Sequence, residues 1–496
     1  MSEHEEGGRT TSAKRAGAVT ITGQLAKAFL QFISLVVFSH LLTPRDVGLI
    51  AMLAVFLLLG EVLRDFGLSQ AALQTEKLTH GQATNLFWSN TVIGLALTIG
   101  MVIAAPAIAS LYGEPTLSEI APWIGLFLTI NALQSQFQVQ LARNHRFSVL
   151  AATDVTSQII GLSAGVISAL AGATYWALVI QLLCIQGSLL VQRALVAGWW
   201  PGLPRRETGM TSLYKFGIHT GLAQLVQYFA SNVDVYIIGI RWGPSALGIY
   251  NRAFQLFSAP AQQILAPLTN VALPLLSRER HSGGNFYPLL LKAQIATSAS
   301  LTFVFMLLAA VADPLVRIFL GSAWLESAAI LSILCIGGAA QGLSYMAYWA
   351  FLASGNTKQL LLQSLVNKPL LAGCIAIGAL GGLQGVAWGF SAGLALSWLI
   401  SLTWLSRCEA TPMWTFFRSG IHVLACGLAA GGLGWTVVNL LNSRVPTLVL
   451  LAVGSALAIT VYTPLLLSNA SIRRTLFDIF GPILARAKTA LRPKGR

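Results

Sequence analysis

From residue 17 onward the chain reads as long apolar runs separated by short polar breaks. Fourteen runs stand out, at 17–39, 46–64, 85–111, 118–140, 148–171, 174–197, 213–239, 246–275, 288–312, 326–353, 359–380, 383–405, 417–440 and 446–468. Each has about the 20 residues that cross a bilayer as a helix. They lack the period-2 alternation of a membrane barrel strand. The pattern therefore predicts an all-α polytopic membrane protein with about fourteen transmembrane helices. An even number places both termini on one side. The stretch 1–16 is polar, with no apolar core or cleavage site, and is expected to be a retained tail and not a signal peptide.

Composition agrees. Of 496 residues, 55% are hydrophobic and 10% are charged, with a mean hydropathy of +0.70. A water-soluble domain carries about 25% charged residues. This excludes a soluble enzyme, a nucleic-acid-binding domain and a disordered chain. The net charge of +14 follows from the positive-inside rule. With the N-terminus inside, the inner tails and loops hold 23 Lys/Arg and the outer loops hold Arg45, Arg241, Arg317 and Arg444. That asymmetry places both termini in the cytoplasm, and it needs no nucleic-acid partner. Cys184, Cys335, Cys374, Cys408 and Cys426 lack metal-ligand spacing and read as small fillers, so no metal or cofactor is expected. The basic tail 469–496, with Ile472, Leu476, Ile479 and Phe480 between charges, reads as an amphipathic helix on anionic lipid. The alternative is a solvated basic tail.

The chain also repeats itself. A shift of 200 residues lays Gly17, Thr20, Gln24, Leu25, Phe29, Pro44 and Gly48 onto Gly217, Thr220, Gln224, Leu225, Phe229, Pro244 and Gly248. The expected organisation is an N-lobe of six helices (17–197), a cytoplasmic linker (198–212), a C-lobe of six (213–405), two further helices (406–468) and the basic tail. The lobes are parallel repeats related by a pseudo-two-fold axis along the membrane normal, an arrangement that places substrate between them.

Polar positions inside the runs mark where chemistry would sit. The first run presents Thr20, Gln24, Lys27, Gln31 and Ser34 at steps of four and three, one stripe on a helix. The seventh presents Thr220, Gln224, Gln227, Ser231 and Asp234 at the same repeat positions. Such stripes line a hydrophilic cavity or join helices by hydrogen bonds. Apart from the charges at run ends counted with the inner loops (Arg64, Arg193, Lys215 and Arg418), four cations fall within runs: Lys27, Arg252, Lys292 and Lys368. A mid-bilayer Lys or Arg costs about 2.5–3.5 kcal/mol on insertion scales. Lys27 and Arg252 read as unpaired, whereas Lys292 and Lys368 lie near span ends and also fit snorkelling. Asp154 and Asp234 are the clear acids within runs, and Arg64 and Asp65 adjoin at the end of the second. The excess of cations suggests an anionic substrate or lipid headgroup. Asn131, Gln134 and Gln138 form a weaker stripe, as do Gln341, Tyr345 and Tyr348.

Three segments carry a family resemblance: HLLTPRDVGLIAML (40–53), LRDFGLSQAALQ (63–74) and ALGIYNRAFQLFSAPAQQILAPLTNVALPLLSR (246–278). They resemble the polysaccharide transporter family, the Wzx-type lipid-linked oligosaccharide flippases of the MOP superfamily. The resemblance extends over about 15–468. It implies two six-helix lobes, alternating access, and transfer of an undecaprenyl-pyrophosphate-linked repeat unit for O-antigen, capsule or exopolysaccharide across the bacterial inner membrane. By similarity to the lipid II flippase, Lys27 (where that relative carries an arginine), Arg64 and Arg252 hold the pyrophosphate. Lys292, Lys368, Gln24, Gln31, Gln224 and Gln227 complete the candidate substrate contacts, and Asp154, Asp234 and Asp65 are the candidates for ion coupling. Implied partners are membrane lipids and the polysaccharide polymerase and chain-length machinery, with the flippase itself a monomer. No covalent step is expected. The alternative is a MATE-like ion-coupled exporter of small molecules. A membrane polymerase or ligase would need a larger outer loop than the longest one here, about 313–325.

Overall fold

The computed structural model describes residues 2–490 apart from 66–68, 70–71, 74, 76–77, 206–209, 211–220, 222–223, 226–227, 229–231, 410 and 443, with side chains described between Thr22 and Ile479. Among the described residues there is no strand. The helices are α1 (Ser2–Leu41), α2 (Pro44–Asp65), α3 (His80–Tyr112), α4 (Thr116–Arg143), α5 (Phe147–Leu170), α6 (Trp176–Val196) and α7 (Val233–His281). They continue with α8 (Tyr287–Ala310), α9 (Ala312–Phe319), α10 (Glu326–Ala353), α11 (Thr357–Gly378), α12 (Gly382–Glu409), α13 (Met413–Leu441), α14 (Thr447–Leu467) and α15 (Ala470–Ala490). Among the described residues eleven stretches are long and apolar enough to cross a membrane, and one of them contains both α11 and α12. The protein is a polytopic, all-helical membrane protein. Large side chains such as Ile103, Ile167, Leu195 and Ile377 are exposed on these helices. In water that apolar area would be costly, whereas against acyl chains it is matched.

The polar stretch expected to precede the first span is continuous with it, because α1 begins at Ser2. The seventh run lies largely outside the described residues. The eighth is the longer part of α7, which is broken at Gly243 (φ 76°, ψ −171°). Glycine reaches that left-handed region without a Cβ clash, and Pro244 then starts the next helical segment with a φ suited to a first turn. The equivalent start in the first half uses side chains. Thr43 donates its N–H to Asp46 Oδ2 (2.9 Å) and its Oγ1 accepts from the Asp46 N–H (3.3 Å). This is a capping box, with Asp in the usual Glu/Gln position, and Pro44 follows it.

The chain divides into two compact units, Met1–Gly248 and Ile249–Arg496. In the first, α3 lies along α4, α5 along α6, and α1 along α5. The two proline starts meet there. A Cβ on Gly48 would lie 1.7 Å from the Pro244 carbonyl oxygen, and one on Gly248 would lie 1.9 Å from that of Pro44. Repeat-equivalent residues thus touch reciprocally, main chain to main chain.

In the second unit, α8 and α10 form a core with α12 and α13. Leu290, Phe286, Trp349, Phe351, Leu402 and Phe416 are fully buried in it. The tail helix α15 forms, but Ile472, expected on its lipid-facing side, is buried against protein beside Val423 and Tyr462. Asp478 of the same helix accepts from Lys292 Nζ at 2.9 Å.

Candidate functional site

The polar side chains of the first unit converge on one network. It lies toward the ends of α2, α4 and α6 and the beginning of α5. Arg193, in the last turn of α6, has a side chain only 4% exposed. Its Nη2 donates to Asp154 Oδ1 at 2.5 Å, and its Nη1 donates to Gln134 Oε1 (2.6 Å) and Gln138 Oε1 (2.9 Å). Its Nε lies 3.5 Å from Thr153 Oγ1. A planar guanidinium with five donors suits such a set of fixed acceptors. The other oxygen of Asp154, Oδ2, accepts from Lys27 Nζ at 3.4 Å.

The network continues away from Arg193. Gln134 Nε2 donates to Asn131 Oδ1 (3.2 Å), and Asn131 Nδ2 donates to Glu61 Oε1 (2.8 Å). The amide direction is the same at every step, from guanidinium to carboxylate. Glu61 stands one turn before Arg64 on α2, so the two side chains share a face. Arg64 is 7% exposed, and its Nε and Nη1 are buried with no hydrogen-bond partner. A buried cation with open donors is costly unless acceptors reach it.

Several sequence expectations change at this point. Lys27 is not an unpaired cation; it shares Asp154 with Arg193. Arg193 had been assigned to the cytoplasmic loop charges, yet it is buried within a helix. The asymmetry of 23 against 4 survives its removal. Glu61 was overlooked, although its spacing of three from Arg64 was visible in the sequence. The stripe of Asn131, Gln134 and Gln138 joins helices. On α1, Ser34 is buried and accepts from Gln181 Nε2 (2.7 Å), while Gln24 and Gln31 are exposed.

In the second unit, Arg252 is 5% exposed, with its guanidinium carbon 5.4 Å from the centroid of the buried Trp324 ring. It donates from Nη1 to Gln255 Oε1 (3.0 Å), and its Nε is unpartnered. No acid pairs with it among the described residues. Lys292 pairs with Asp478, and Lys368 is half-buried on α11. Asp65 accepts from Ser69 Oγ. Asp234 is buried at the start of α7. Gln224 is half-buried, and Gln227 lies outside the described residues. Among the described residues no group of His, Cys, Asp and Glu could hold a metal.

Comparison with known proteins places this architecture. The chain matches the model of the polysaccharide biosynthesis protein family over residues 37–329. It is 25% identical over 282 residues to the teichuronic acid biosynthesis protein TuaB of Bacillus subtilis, covering 56% of this chain and 58% of that one. It is 23% identical to the succinoglycan biosynthesis transport protein ExoT of Rhizobium meliloti, covering 91% of this chain and 92% of that one. With the lipopolysaccharide biosynthesis protein WzxC of Escherichia coli it shares 21% identity, over 62% of this chain and 63% of that one. The matches thus span less than two thirds of TuaB and of WzxC, and nearly all of ExoT. Its fold is similar to that of the lipid II flippase MurJ in an inward closed conformation (TM-score 0.73, 15% identity, covering 90% of this chain and 98% of that one). A MATE family transporter of the MOP superfamily is also similar (TM-score 0.56, 14% identity, covering 80% and 95%). With more than half of its length matched by one family model, and a fold shared with membrane flippases and exporters, this chain belongs to the polysaccharide biosynthesis protein family.

Proposed function

We propose that the protein is a flippase. It moves an undecaprenyl-pyrophosphate-linked oligosaccharide repeat unit from the cytoplasmic to the periplasmic leaflet of the bacterial inner membrane, by alternating access and with both termini in the cytoplasm. The observation that carries this reading is Arg64: a guanidinium more than nine-tenths buried, with two nitrogens lacking partners. A pyrophosphate supplies acceptor oxygens of the matching charge. Lys27, with its side chain 41% exposed, is the second phosphate contact. The uncharged, exposed Gln24 and Gln31 on the same helix suit sugar hydroxyls. The polyprenyl tail stays in lipid throughout, so only the polar head needs a path. Arg252, in the second unit and with its Nε also unpartnered, is a further guanidinium suited to phosphate. The names of TuaB, ExoT and WzxC, which refer to teichuronic acid biosynthesis, succinoglycan biosynthesis transport and lipopolysaccharide biosynthesis, support the same reading.

The test is deletion of the gene and complementation with wild type or Arg64→Ala, followed by measurement of surface polysaccharide and of its lipid-linked precursor. Wild type is expected to restore polymer. Arg64→Ala is expected to leave precursor accumulating at a normal protein level. Normal polymer with Arg64→Ala overturns the role of Arg64, and normal polymer in the deletion strain overturns the function. Resistance to cationic drugs on overexpression would instead favour the small-molecule exporter.

A further inference from the structure

We propose that Arg193 is a positioning residue for Lys27. It engages one oxygen of Asp154, and this keeps the Lys27 ammonium from being fully neutralised, so that Lys27 can exchange its carboxylate for an anionic phosphate. The inference rests on the reading of Lys27 as a phosphate contact.

The geometry is asymmetric. Arg193 holds Asp154 at 2.5 Å and is nearly inaccessible, whereas Lys27 reaches the other oxygen at 3.4 Å and is 41% exposed. Arg193 is fixed from the far side by Gln134 and Gln138. One carboxylate thus lies between two cations, and the three residues together carry one net positive charge. A lone Lys–Asp pair would carry none and would offer an approaching phosphate no net attraction.

The exchange also leaves nothing orphaned. Removing one partner of a buried ion pair is costly chiefly because the other charge stays behind unpaired. When Lys27 leaves, Asp154 still holds Arg193. The cost of releasing Lys27 is therefore that of a long, partly exposed pair, which is small. The same arginine holds Gln134, whose amide reaches Glu61 through Asn131. Asp154 and the end of α2 that bears Arg64 are thus held by one side chain.

The experiment uses the full chain in detergent micelles with farnesyl pyrophosphate as probe and farnesol as control. It compares wild type, Arg193→Met, Asp154→Asn and the double variant. Arg193→Met gives Asp154 wholly to Lys27 and should weaken binding about tenfold. The double variant frees Lys27 again and should bind within about threefold of wild type. Arg193→Lys should fall between wild type and Arg193→Met. A merely structural role for Arg193 predicts that the double variant binds as weakly as Arg193→Met or more so, and that result overturns the proposal.

A second readout needs no phosphate. Acetylation of Lys27 by an amine-reactive ester, followed by mass spectrometry, should slow in Arg193→Met and quicken in Asp154→Asn. An unchanged rate in Arg193→Met overturns the proposal. Gln138→Leu loosens Arg193 without altering any charge. It should move the acetylation rate in the same direction by less, and it serves where Arg193→Met does not accumulate. If wild type fails to bind farnesyl pyrophosphate while acetylation responds as stated, the flippase reading fails and the positioning of Lys27 stands. If wild type binds and acetylation does not respond, the reverse holds.

Discussion

Arg193 in the first unit and Arg252 in the second are buried alike, at 3% and 5% exposure, and sit in opposite surroundings. Around Arg193 stand a carboxylate and two amide oxygens, and each of these acceptors is itself held by a helix. Around Arg252 stand an indole ring and one glutamine. The first arginine has its charge matched and its donors engaged. The second has its flat face covered and its Nε left over. Arg64 resembles the second, with two nitrogens left over. Burial alone therefore does not mark a binding arginine. The donors that remain open after the protein has used what it needs are the better guide, and by that measure Arg64 and Arg252 are the candidates for ligand contact, whereas the donors of Arg193 are spent within the protein.

That contrast can be broken in order of expected effect. Arg193→Met strands the two amide oxygens and leaves Asp154 only its long pair with Lys27, so it should lower stability by about 3 kcal/mol, the lower end of the cost of breaking a buried pair from one side. The midpoint of unfolding in mixed micelles measures it, and a loss near zero would erase the distinction. Gln134→Leu removes one acceptor from Arg193 and one donor from Asn131, at about 1–3 kcal/mol for buried groups left unsatisfied; the same titration reads it. Arg252→Met should cost less, about 0.5–2 kcal/mol, because it gives up a cation–π contact and leaves no acid unpaired. If Arg252→Met proved as damaging as Arg193→Met, Arg252 would be structural. Asp478→Asn, at the exposed pair with Lys292, should shift stability by less than about 1 kcal/mol and the shift should vanish at high salt.

The membrane-spanning pattern was legible because runs of about twenty apolar residues admit few alternatives. Four of the residues aligned by the shift of 200 also meet in space, Pro44 and Gly48 against Pro244 and Gly248, a contact that the alignment by itself did not predict. The site was read less well, for a physical reason. A charge near the end of an apolar run either snorkels or turns inward, and the sequence looks the same in both cases. Lys292 went outward to Asp478, whereas Arg193 went inward. Only the fold decides, because the acceptors of Arg193 come from α4 and α5, distant in sequence. Glu61 was hidden differently. In LLLGEVLRD it was overshadowed by the nearby Arg64 and Asp65, although its partner Asn131 already stood on a recognised polar stripe.

The reciprocal glycines carry one further consequence. Where Gly48 meets the Pro244 carbonyl and Gly248 meets that of Pro44, no side chain from either glycine interposes. At that point the two helix starts close main chain against main chain. A methyl group on either glycine would lie 1.7 or 1.9 Å from a main-chain oxygen, which cannot swing aside as a side chain can, and would pry the two starts apart.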